Sequence, residues 1–255
     1  MKFCVLASGS KGNATWIEEG QKAILIDNGL SAKELKARAD CRGLNLNRLM
    51  AVVVSHEHSD HVKGVGPLAR QLDLTVYGTL GTLKAAASSL QGLRLKTFKS
   101  GDELDLKFMR LTAVSVSHDA AEPVAFVICG QSGRLGLLTD LGTPTHLVRE
   151  SFRELNALIV EFNHDLEMLV EGPYPAFLKQ RVKGNLGHLS NEAGAKLLGR
   201  LCHEGLAKVI LGHLSDINNT PKLALKEARR VLDQLGANPD VLAAEQVKPT
   251  QVFEI

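Results

Sequence analysis

The sequence predicts an α+β fold, a four-layer αββα sandwich in which two β-sheets pack face to face and helices cover their outer faces. Two observations predict this class. Several short aliphatic strands follow one another without an intervening helix, and the order of strands followed by helices occurs twice along the chain. A doubly wound parallel sheet is the alternative, but that fold needs a crossover connection, usually a helix, between successive parallel strands.

The first half of the chain is rich in strands. The runs "KFCVLA", "ATWIEE", "KAILIDNG" and "MAVVVSH" predict four strands, because they are aliphatic or β-branched and are separated by Gly and Asn. Ser31 and Glu34 in "SAKELKARA" form a capping box that predicts the start of a helix. Helical spacing in "VKGVGPLARQL" and "TLKAAASSL" predicts two more helices, with the strand "LTVYG" between them.

The second half repeats this order. The runs "LKFMRLTAVSVS", "PVAFVIC" and "LGLLTD" predict strands, and the helix-like "THLVRESFREL" precedes the strand "ALIVEFNHD". The helices "SNEAGAKLLGRLC" and "TPKLALKEARRVLDQLG" flank the strand "KVILGH", and Thr220 with Pro221 forms a favourable start of the second of them. The run "QVFEI" predicts a last strand. Because no linker interrupts this pattern, we expect a single domain over residues 1–255.

The composition sets broad limits on function. The 255 residues, 44% hydrophobic and 23% charged, are typical of a soluble globular protein with one substantial core. The net charge of +2 neither requires nor excludes a nucleic-acid partner. With no signal peptide, no apolar stretch of membrane-spanning length and no CxxC pair, we expect a cytoplasmic protein without a membrane partner, and reduced thiols at Cys4, Cys41, Cys129 and Cys202. The oligomeric state is not indicated.

The motif "HEHSDH" carries the chemistry. It follows directly on the apolar run "AVVVS", so its side chains emerge at the end of a strand. Residues two apart in an extended chain point the same way, so His56 and His58 can converge on one ion, while Asp60 and His61 can reach a second point nearby. Imidazole and carboxylate together suit zinc, manganese or iron. The alternative is a solvated, histidine-rich loop.

Three further residues end apolar runs, as ligands carried by rigid strands would. They are His118 in "VSVSHDA", Asp140 in "LLTDLG" and His213 in "VILGHLSD". Each taken alone could be a capping aspartate or a histidine hydrogen-bonded in a loop. Together with the first motif, they could complete the ligand sets of two ions.

In this order of motifs the sequence resembles the metallo-β-lactamase superfamily over nearly its whole length. The resemblance implies a metallo-β-lactamase-type αββα sandwich that binds two divalent metal ions, zinc, manganese or iron. It also implies a first ion held by His56, His58 and His118, a second held by Asp60, His61 and His213, and Asp140 bridging both. Such a pair lowers the pKa of a shared water and stabilises charge on a carbonyl or phosphoryl oxygen, with Asp60 as a catalytic residue that orients the water. The implied chemistry is hydrolysis.

Further stretches resemble one subfamily, the bacterial YycJ (WalJ) family. They are "LASGSKGNATWIE", "VEFNHDLEMLVEGPYP", "GNLGHLSNEAG" and "LGHLSDINNTP". Members of that family are similar to 5′-to-3′ DNA exonucleases linked to mismatch repair. The resemblance therefore implies a binuclear phosphodiesterase that hydrolyses DNA. The interval between Asp140 and His213 is too short for the inserted domain of the related β-CASP nucleases.

The same stretches contain candidate substrate residues. His188 and His164 are the candidates for phosphate contact or for protonation of the leaving oxygen, although His164 could instead orient a metal ligand. The loop "SGSKGN" could offer N–H groups and hydroxyls to a phosphate, or could be a simple hairpin turn. Ser190 precedes a helix and could bind an anion or cap that helix. The full set of candidate substrate-binding residues is Ser8, Ser10, Lys11, Asn13, Asn163, Ser190, Ser215 and Asn218.

A short basic cluster of Lys179, Arg181 and Lys183 could follow a DNA backbone or form a solvated face. Tyr174 and Phe177 lie beside it and are the aromatic residues that could stack on bases. Three rival functions stay open at this stage. They are a PhnP-like phosphodiesterase for cyclic phosphates or nucleotides, a thioester or lactone hydrolase with an apolar pocket, and a metal-stabilised binding module without catalysis.

Overall fold

The computed structural model describes residues 1–255 and contains two seven-stranded mixed sheets. The strands are β1 (Lys2–Ala7), β2 (Ala14–Glu19), β3 (Lys22–Ile26), β4 (Leu49–Val53), β5 (Thr75–Thr79), β6 (Arg94–Phe98), β7 (Glu103–Asp105), β8 (Arg110–Ser115), β9 (Val124–Cys129), β10 (Arg134–Leu138), β11 (Ala157–Glu161), β12 (Lys208–Gly212), β13 (Asp240–Ala243) and β14 (Phe253–Glu254). The strand order is β14-β1-β2-β3-β4-β5-β6 in the first sheet and β13-β12-β11-β10-β9-β8-β7 in the second.

Ten α-helices and one 3₁₀ turn (Leu46–Arg48) connect the strands. The helices are α1 (Ala32–Asp40), α2 (Ser59–Val62), α3 (Val65–Leu72), α4 (Leu80–Ala85), α5 (Ala87–Leu90), α6 (His146–Ser151), α7 (Leu166–Glu171), α8 (Ala176–Lys183), α9 (Asn191–Leu201) and α10 (Pro221–Gln234). None of them combines the length and the apolar character that a membrane span requires.

Three hydrophobic clusters separate four layers. In the central cluster, Phe3 of the first sheet packs with Phe126 and Ile159 of the second. The first sheet buries its other face against α1 and α3, and the second sheet buries its other face against α9 and α10. The structure therefore confirms the αββα sandwich and excludes the doubly wound sheet.

The local signals for helix starts are confirmed. The Ser31 hydroxyl accepts from the backbone N–H of Glu34, the Glu34 carboxylate accepts in return, and Thr220 caps α10 with Pro221 in its first turn. The helix predicted through residue 155 ends at Ser151 as α6, and the run "TLKAAASSL" is divided between α4 and α5. Strands β6, β7 and β13, helices α2, α7 and α8 and the 3₁₀ turn were not predicted from the sequence.

The strand directions place one edge of each sheet at the functional region. Strands β3 to β6 run parallel to one another, and so do β10 to β13. Loops that follow parallel strands emerge at the same edge of a sheet, where open α/β sheets commonly bind ligands. The two carboxyl edges meet, because the backbone N–H of Val124 in β9 donates to the Ser55 carbonyl just after β4.

Candidate active site

The seven predicted metal ligands lie in one cluster at this joined edge. His56 and His58 follow β4, and His118 follows β8 in the opposite sheet. His118 Nε2 is 3.3 Å from His58 Nδ1, and the His56 ring centroid is 4.7 Å from that of His58 and 5.0 Å from that of His118. The three imidazoles therefore converge on one point.

Asp140 joins this group to the remaining ligands. Its Oδ2 lies 3.0 Å from His213 Nδ1 and 3.4 Å from His61 Nε2, while its Oδ1 lies 3.8 Å from His118 Nε2. Asp60 lies at the far side, with Oδ2 3.4 Å from His61 Nε2. The carboxylate of Asp140 thus stands between the two predicted ligand sets.

The donor set fits divalent metal ions. His56 Nε2 is buried without a hydrogen-bond partner. Burying an unpaired polar atom costs free energy unless the atom binds an ion or another ligand. Burial and the nearby His61 hold the pKa of His56 well below its ordinary value, so its imidazole is neutral, as metal binding requires. Burial opposes ionisation of Asp140, but His213 and His61 outweigh it and hold the pKa of that carboxyl well below its usual range.

A set of residues that sequence reasoning missed orients His61. Asp27 Oδ2 accepts from His61 Nδ1 at 2.8 Å, which turns Nε2 toward Asp60 and Asp140. Ser55 donates to the same carboxylate of Asp27 through its backbone N–H and its hydroxyl, at 2.8 and 2.7 Å. A carboxylate behind a ligating histidine fixes the tautomer and orientation of the ring. The signal was present, because Asp27 directly follows the apolar run "KAILI" and Asp140 follows the run "RLGLL" after one further residue.

Glu161 is a second residue that the sequence reasoning missed. It is fully buried at the end of β11 and accepts from His188 Nδ1 at 2.8 Å and from the backbone N–H groups of Leu141 and Leu189 at 3.0 Å each. Burial opposes a charge on His188, but Glu161 outweighs it and raises the pKa of His188 to about 9. His188 is therefore an imidazolium near neutral pH.

Three of these strand ends hold a non-glycine residue in the left-handed region. The φ angles are 58° at Asp27, 58° at Asp140 and 54° at His213. Aspartate and histidine tolerate this region better than most residues, but it still carries strain that the surrounding structure must offset. Three of the six non-glycine residues with positive φ in the chain therefore belong to the site.

The cluster opens into a polar cavity of about 230 Å³. Asp119, which follows His118, has Oδ1 3.5 Å from His118 Nε2, and its Oδ2 accepts from Arg181 Nε at 2.6 Å. Neither Asp119 nor this ion pair was predicted. The cavity is lined by Ser10, His58, Asp60, Asp119, Asp140, Leu178, Arg181, Val182, Gly187, His188 and His213.

Of the first four predicted substrate residues, Ser10 lines the cavity. The others contact the loops that carry the ligands. The Ser8 hydroxyl accepts from the His213 backbone N–H at 2.7 Å, and the Asn13 amide donates to Asp60 Oδ2 at 3.0 Å. Lys11 pairs with Asp216 at 2.7 Å. Ser8 thus supports the backbone at His213 and Lys11 forms an exposed ion pair, whereas the Asn13 amide also lies 3.0 Å from His61 Nε2 and so reaches the ligand cluster.

The remaining candidates lie away from the cavity wall. Asn163 donates to the His213 carbonyl at 2.9 Å, and the Ser190 hydroxyl accepts from the backbone N–H of residue 193 as the cap of α9. The Ser215 hydroxyl accepts from the backbone of the turn that follows it. His164 and Asn218 are buried, and their side-chain polar atoms have no hydrogen-bond partner. Burial lowers the pKa of His164 to about 4, so this ring is neutral.

Comparison with known families agrees with this geometry. Residues 22–214 match the family model described as "Beta-lactamase superfamily domain". The chain belongs to the beta-lactamase superfamily. Among curated members, the exodeoxyribonuclease YycJ of Bacillus anthracis is 36% identical over 239 residues, which cover 92% of this chain and 90% of that protein. The exodeoxyribonuclease WalJ of Streptococcus pneumoniae is 35% identical over 228 residues, covering 88% and 85%.

Solved structures of the superfamily share the fold. The metallo-β-lactamase fold protein YhfI of Bacillus subtilis superposes with a TM-score of 0.74 over 99% of both chains, at 18% sequence identity. The resemblance to the superfamily inferred from the histidine and aspartate motifs is thus confirmed, and so is the resemblance to the YycJ/WalJ family inferred from the further stretches. The enzyme is a metal-dependent hydrolase of this fold.

Proposed function

We propose that the protein is a binuclear metal-dependent phosphodiesterase that hydrolyses DNA from its ends. The observation that carries this proposal is a cluster of metal-ligand type that opens into a polar cavity, with His188 on the cavity wall and its partner Glu161 buried behind it. The two relatives named as exodeoxyribonucleases support DNA as the substrate.

The side chains of this site would divide the work of hydrolysis. Divalent ions, when bound, would lower the pKa of a water and neutralise charge that develops on the phosphoryl oxygens. Asp60, on the cavity wall, is placed to orient that water. Asp27 keeps His61 Nε2 directed at the cluster. The ligands we assign to the two ions are His56, His58 and His118 for one and Asp60, His61 and His213 for the other, with Asp140 between them.

His188 is the residue we assign to proton transfer. Its Nδ1–H is engaged by Glu161, which leaves Nε2–H for the oxygen that leaves the phosphorus. With a pKa of about 9, the ring carries that proton at neutral pH. Protonation of a leaving group by a positioned side chain contributes about 10²- to 10⁴-fold to rate. His164 is neutral and lies off the cavity wall, so the same role does not extend to it.

The resemblance to YycJ and WalJ extends the proposal in three respects. We propose 5′-to-3′ digestion, a role in DNA mismatch repair and a cytoplasmic location. Zinc, manganese and iron all remain suitable ions, because imidazole and carboxylate ligands accommodate each of them.

A second candidate function has one observation in its favour. The cavity of about 230 Å³ is smaller than the roughly 300–1,000 Å³ of pockets that enclose drug-sized ligands. That size suits a small cyclic or nucleotide phosphodiester. A thioester or lactone hydrolase is disfavoured, because that function predicts an apolar pocket and here Leu178 and Val182 are the apolar residues of the lining.

The test is a nuclease assay on end-labelled DNA across a panel of zinc, manganese and iron. Wild type is compared with Asp60→Ala and His188→Ala. We expect both substitutions to lower turnover, by about 100-fold or more for His188→Ala. Metal content, measured by mass spectrometry, should fall in Asp60→Ala alone, because His188 Nδ1 is committed to Glu161.

Three outcomes would favour a rival function or contradict the proposed scheme. Turnover of a small cyclic phosphodiester without cleavage of any DNA would replace the nuclease with the second candidate. Full DNA cleavage by Asp60→Ala would contradict the hydrolytic scheme itself. DNA binding without cleavage in every metal would instead support a binding module.

A further inference from the structure

Helix α8 forms one wall of the cavity without belonging to any hydrophobic core. Leu178, Arg181 and Val182 of this helix line the cavity, yet none of its eight residues is buried. The Val182 carbonyl accepts from the His188 backbone N–H at 2.8 Å. This hydrogen bond attaches the end of the helix to the segment that carries His188. Packing alone therefore does not explain the side chains that α8 presents.

Arg181 is the single lysine or arginine of the cavity lining. Three carboxylates share that lining, those of Asp60, Asp119 and Asp140. Arg181 Nε donates to Asp119 Oδ2 at 2.6 Å, which fixes the guanidinium beside the metal-ligand cluster and leaves its terminal nitrogens free to donate. A planar guanidinium with two parallel N–H groups matches the oxygens of a phosphate. The side chain is 60% exposed, so a ligand can reach it.

Phe177 lies one helical turn before Arg181. Residues four apart on a helix are neighbours on the same side, so Phe177 flanks the face that lines the cavity. Its side chain is 75% exposed, the largest exposed fraction among the large hydrophobic residues of the chain. An exposed aromatic ring beside a phosphate-binding group is the arrangement on which nucleic-acid bases stack.

We propose that α8 is a nucleotide-binding wall, in which Arg181 binds a backbone phosphate and Phe177 stacks on the base of an adjoining unpaired nucleotide. This inference rests on the proposed nuclease function and specifies its substrate. The cavity of about 230 Å³ leaves no room for a duplex, so the end of the DNA enters as a single strand. The stacking surface then lies outside the cavity, where the next base emerges.

The experiment removes the ring and the base separately and together. Dissociation constants are measured by fluorescence anisotropy for a phosphorothioate-linked single-stranded oligonucleotide and for four copies of it. Each copy carries a single abasic site, at the first, second, third or fourth nucleotide. In wild type, one abasic position should weaken binding about tenfold. Phe177→Leu should weaken binding of the intact oligonucleotide about tenfold but leave the affinity for that abasic copy unchanged. Phe177→Tyr, which keeps an aromatic ring, should bind with wild-type affinity.

Arg181 is tested by steady-state cleavage of single-stranded DNA. Arg181→Lys retains the charge but loses the planar fork, so KM should rise about tenfold while kcat stays within about twofold. Arg153→Lys makes the same exchange at an exposed arginine that pairs with Glu150 outside the cavity lining, and it serves as the matched control, with KM within about twofold of wild type.

Three outcomes would overturn the inference. They are an equal effect of Phe177→Leu on intact and abasic oligonucleotides, no effect on either, or equal KM values for Arg181→Lys and Arg153→Lys. Wild type that cleaves no DNA in any metal would refute the proposed nuclease function instead, so the two failures are distinguishable. Because Phe177 and Arg181 are exposed, their variants should unfold at the wild-type temperature, which circular dichroism checks.

Discussion

Glu161 shows how one buried carboxylate sets the chemistry of a neighbouring ring. One oxygen accepts from two backbone N–H groups, and the other accepts from His188 Nδ1. Burial opposes ionisation of Glu161, but the positive charge of His188 outweighs it and keeps the pKa of the carboxyl below its ordinary value. The charged ring of His188 is thereby held at the cavity wall.

Glu161→Gln tests this arrangement. The amide oxygen should take the position that accepts from the backbone of Leu141 and Leu189, so the amide N–H₂ faces His188 Nδ1. His188 then becomes a neutral ring and a poor acid. We expect kcat on DNA to fall about 10²- to 10⁴-fold.

The control is a 4-nitrophenyl phosphodiester, whose leaving group needs no proton. On that substrate the loss in Glu161→Gln should stay below about tenfold. An equal loss on both substrates would contradict the role of His188 as the proton donor.

His164 predicts a pH dependence of stability. Burial lowers its pKa to about 4, below the value near 6.5 that the unfolded chain has, so the folded state favours the neutral ring. The stability that the neutral His164 ring gives to the folded state is fully present above pH 6.5 and is lost as the pH falls from 6.5 toward 4. Between pH 7 and pH 5 we expect wild type to lose about 2 kcal/mol more free energy of unfolding than His164→Phe.

Urea denaturation at both pH values, on protein from which a chelator has removed the metal ions, measures this difference. Other titrating groups are common to the two proteins and cancel. Parallel losses in wild type and His164→Phe would mean that the His164 ring titrates normally.

The residues that first indicated the site in the sequence are clustered along the chain, whereas those that were missed stand alone. His56, His58, Asp60 and His61 crowd into six positions, a density that has no structural use outside a site. Asp27 and Glu161 each stand alone at a strand end, and their roles depend on partners far along the chain. Their partners could not be identified before the fold brought the strands together.

At the scale of elements, strand ends and short helices position the side chains. Helix α2 carries Asp60 and His61, and Gly29 lets the loop after β3 approach it closely, because a Cβ on Gly29 would overlap the Asp60 carbonyl. The left-handed residues Asp27, Asp140 and His213 each follow a strand in the parallel part of its sheet. The ligands are therefore held by the ends of strands that the cores on both sides keep rigid.

Ser190 distinguishes a structural from a binding role at the start of α9. Its hydroxyl accepts from the backbone N–H of residue 193 at 3.2 Å, as an N-cap does. Ser190→Ala should lower the free energy of unfolding by about 1 kcal/mol and leave KM for DNA unchanged, while Ser190→Thr should retain the cap. Urea denaturation and steady-state kinetics measure the two effects. A raised KM without a loss of stability would assign Ser190 to substrate binding.

The elements were predictable where one face of a segment is apolar. The buried runs of β3, β11 and β12 could be recognised directly, and α10 carried its own start signal. The strand β6 is exposed at four of its five positions, and α8 has no buried residue. Neither segment therefore has a regular spacing of apolar residues that would distinguish it from a loop. Their conformations depend on contacts with the rest of the fold.

At the scale of the whole molecule, the site belongs to neither sheet alone. His56, His58 and His61 come from the first sheet, whereas His118, Asp140 and His213 come from the second. The site therefore forms when the central core brings the two sheets together. The order of the motifs predicted which residues gather in the site, but the contribution of both sheets and the distances within the cluster required the packed structure.

The most direct measurement is anomalous diffraction from a crystal of the manganese-loaded protein. The account predicts two peaks, one among His56, His58 and His118 and one beside His61 and His213, with the Asp140 carboxylate between them. A single peak, or a structure in which His118, Asp140 or His213 turns away from the bound ions, would contradict it.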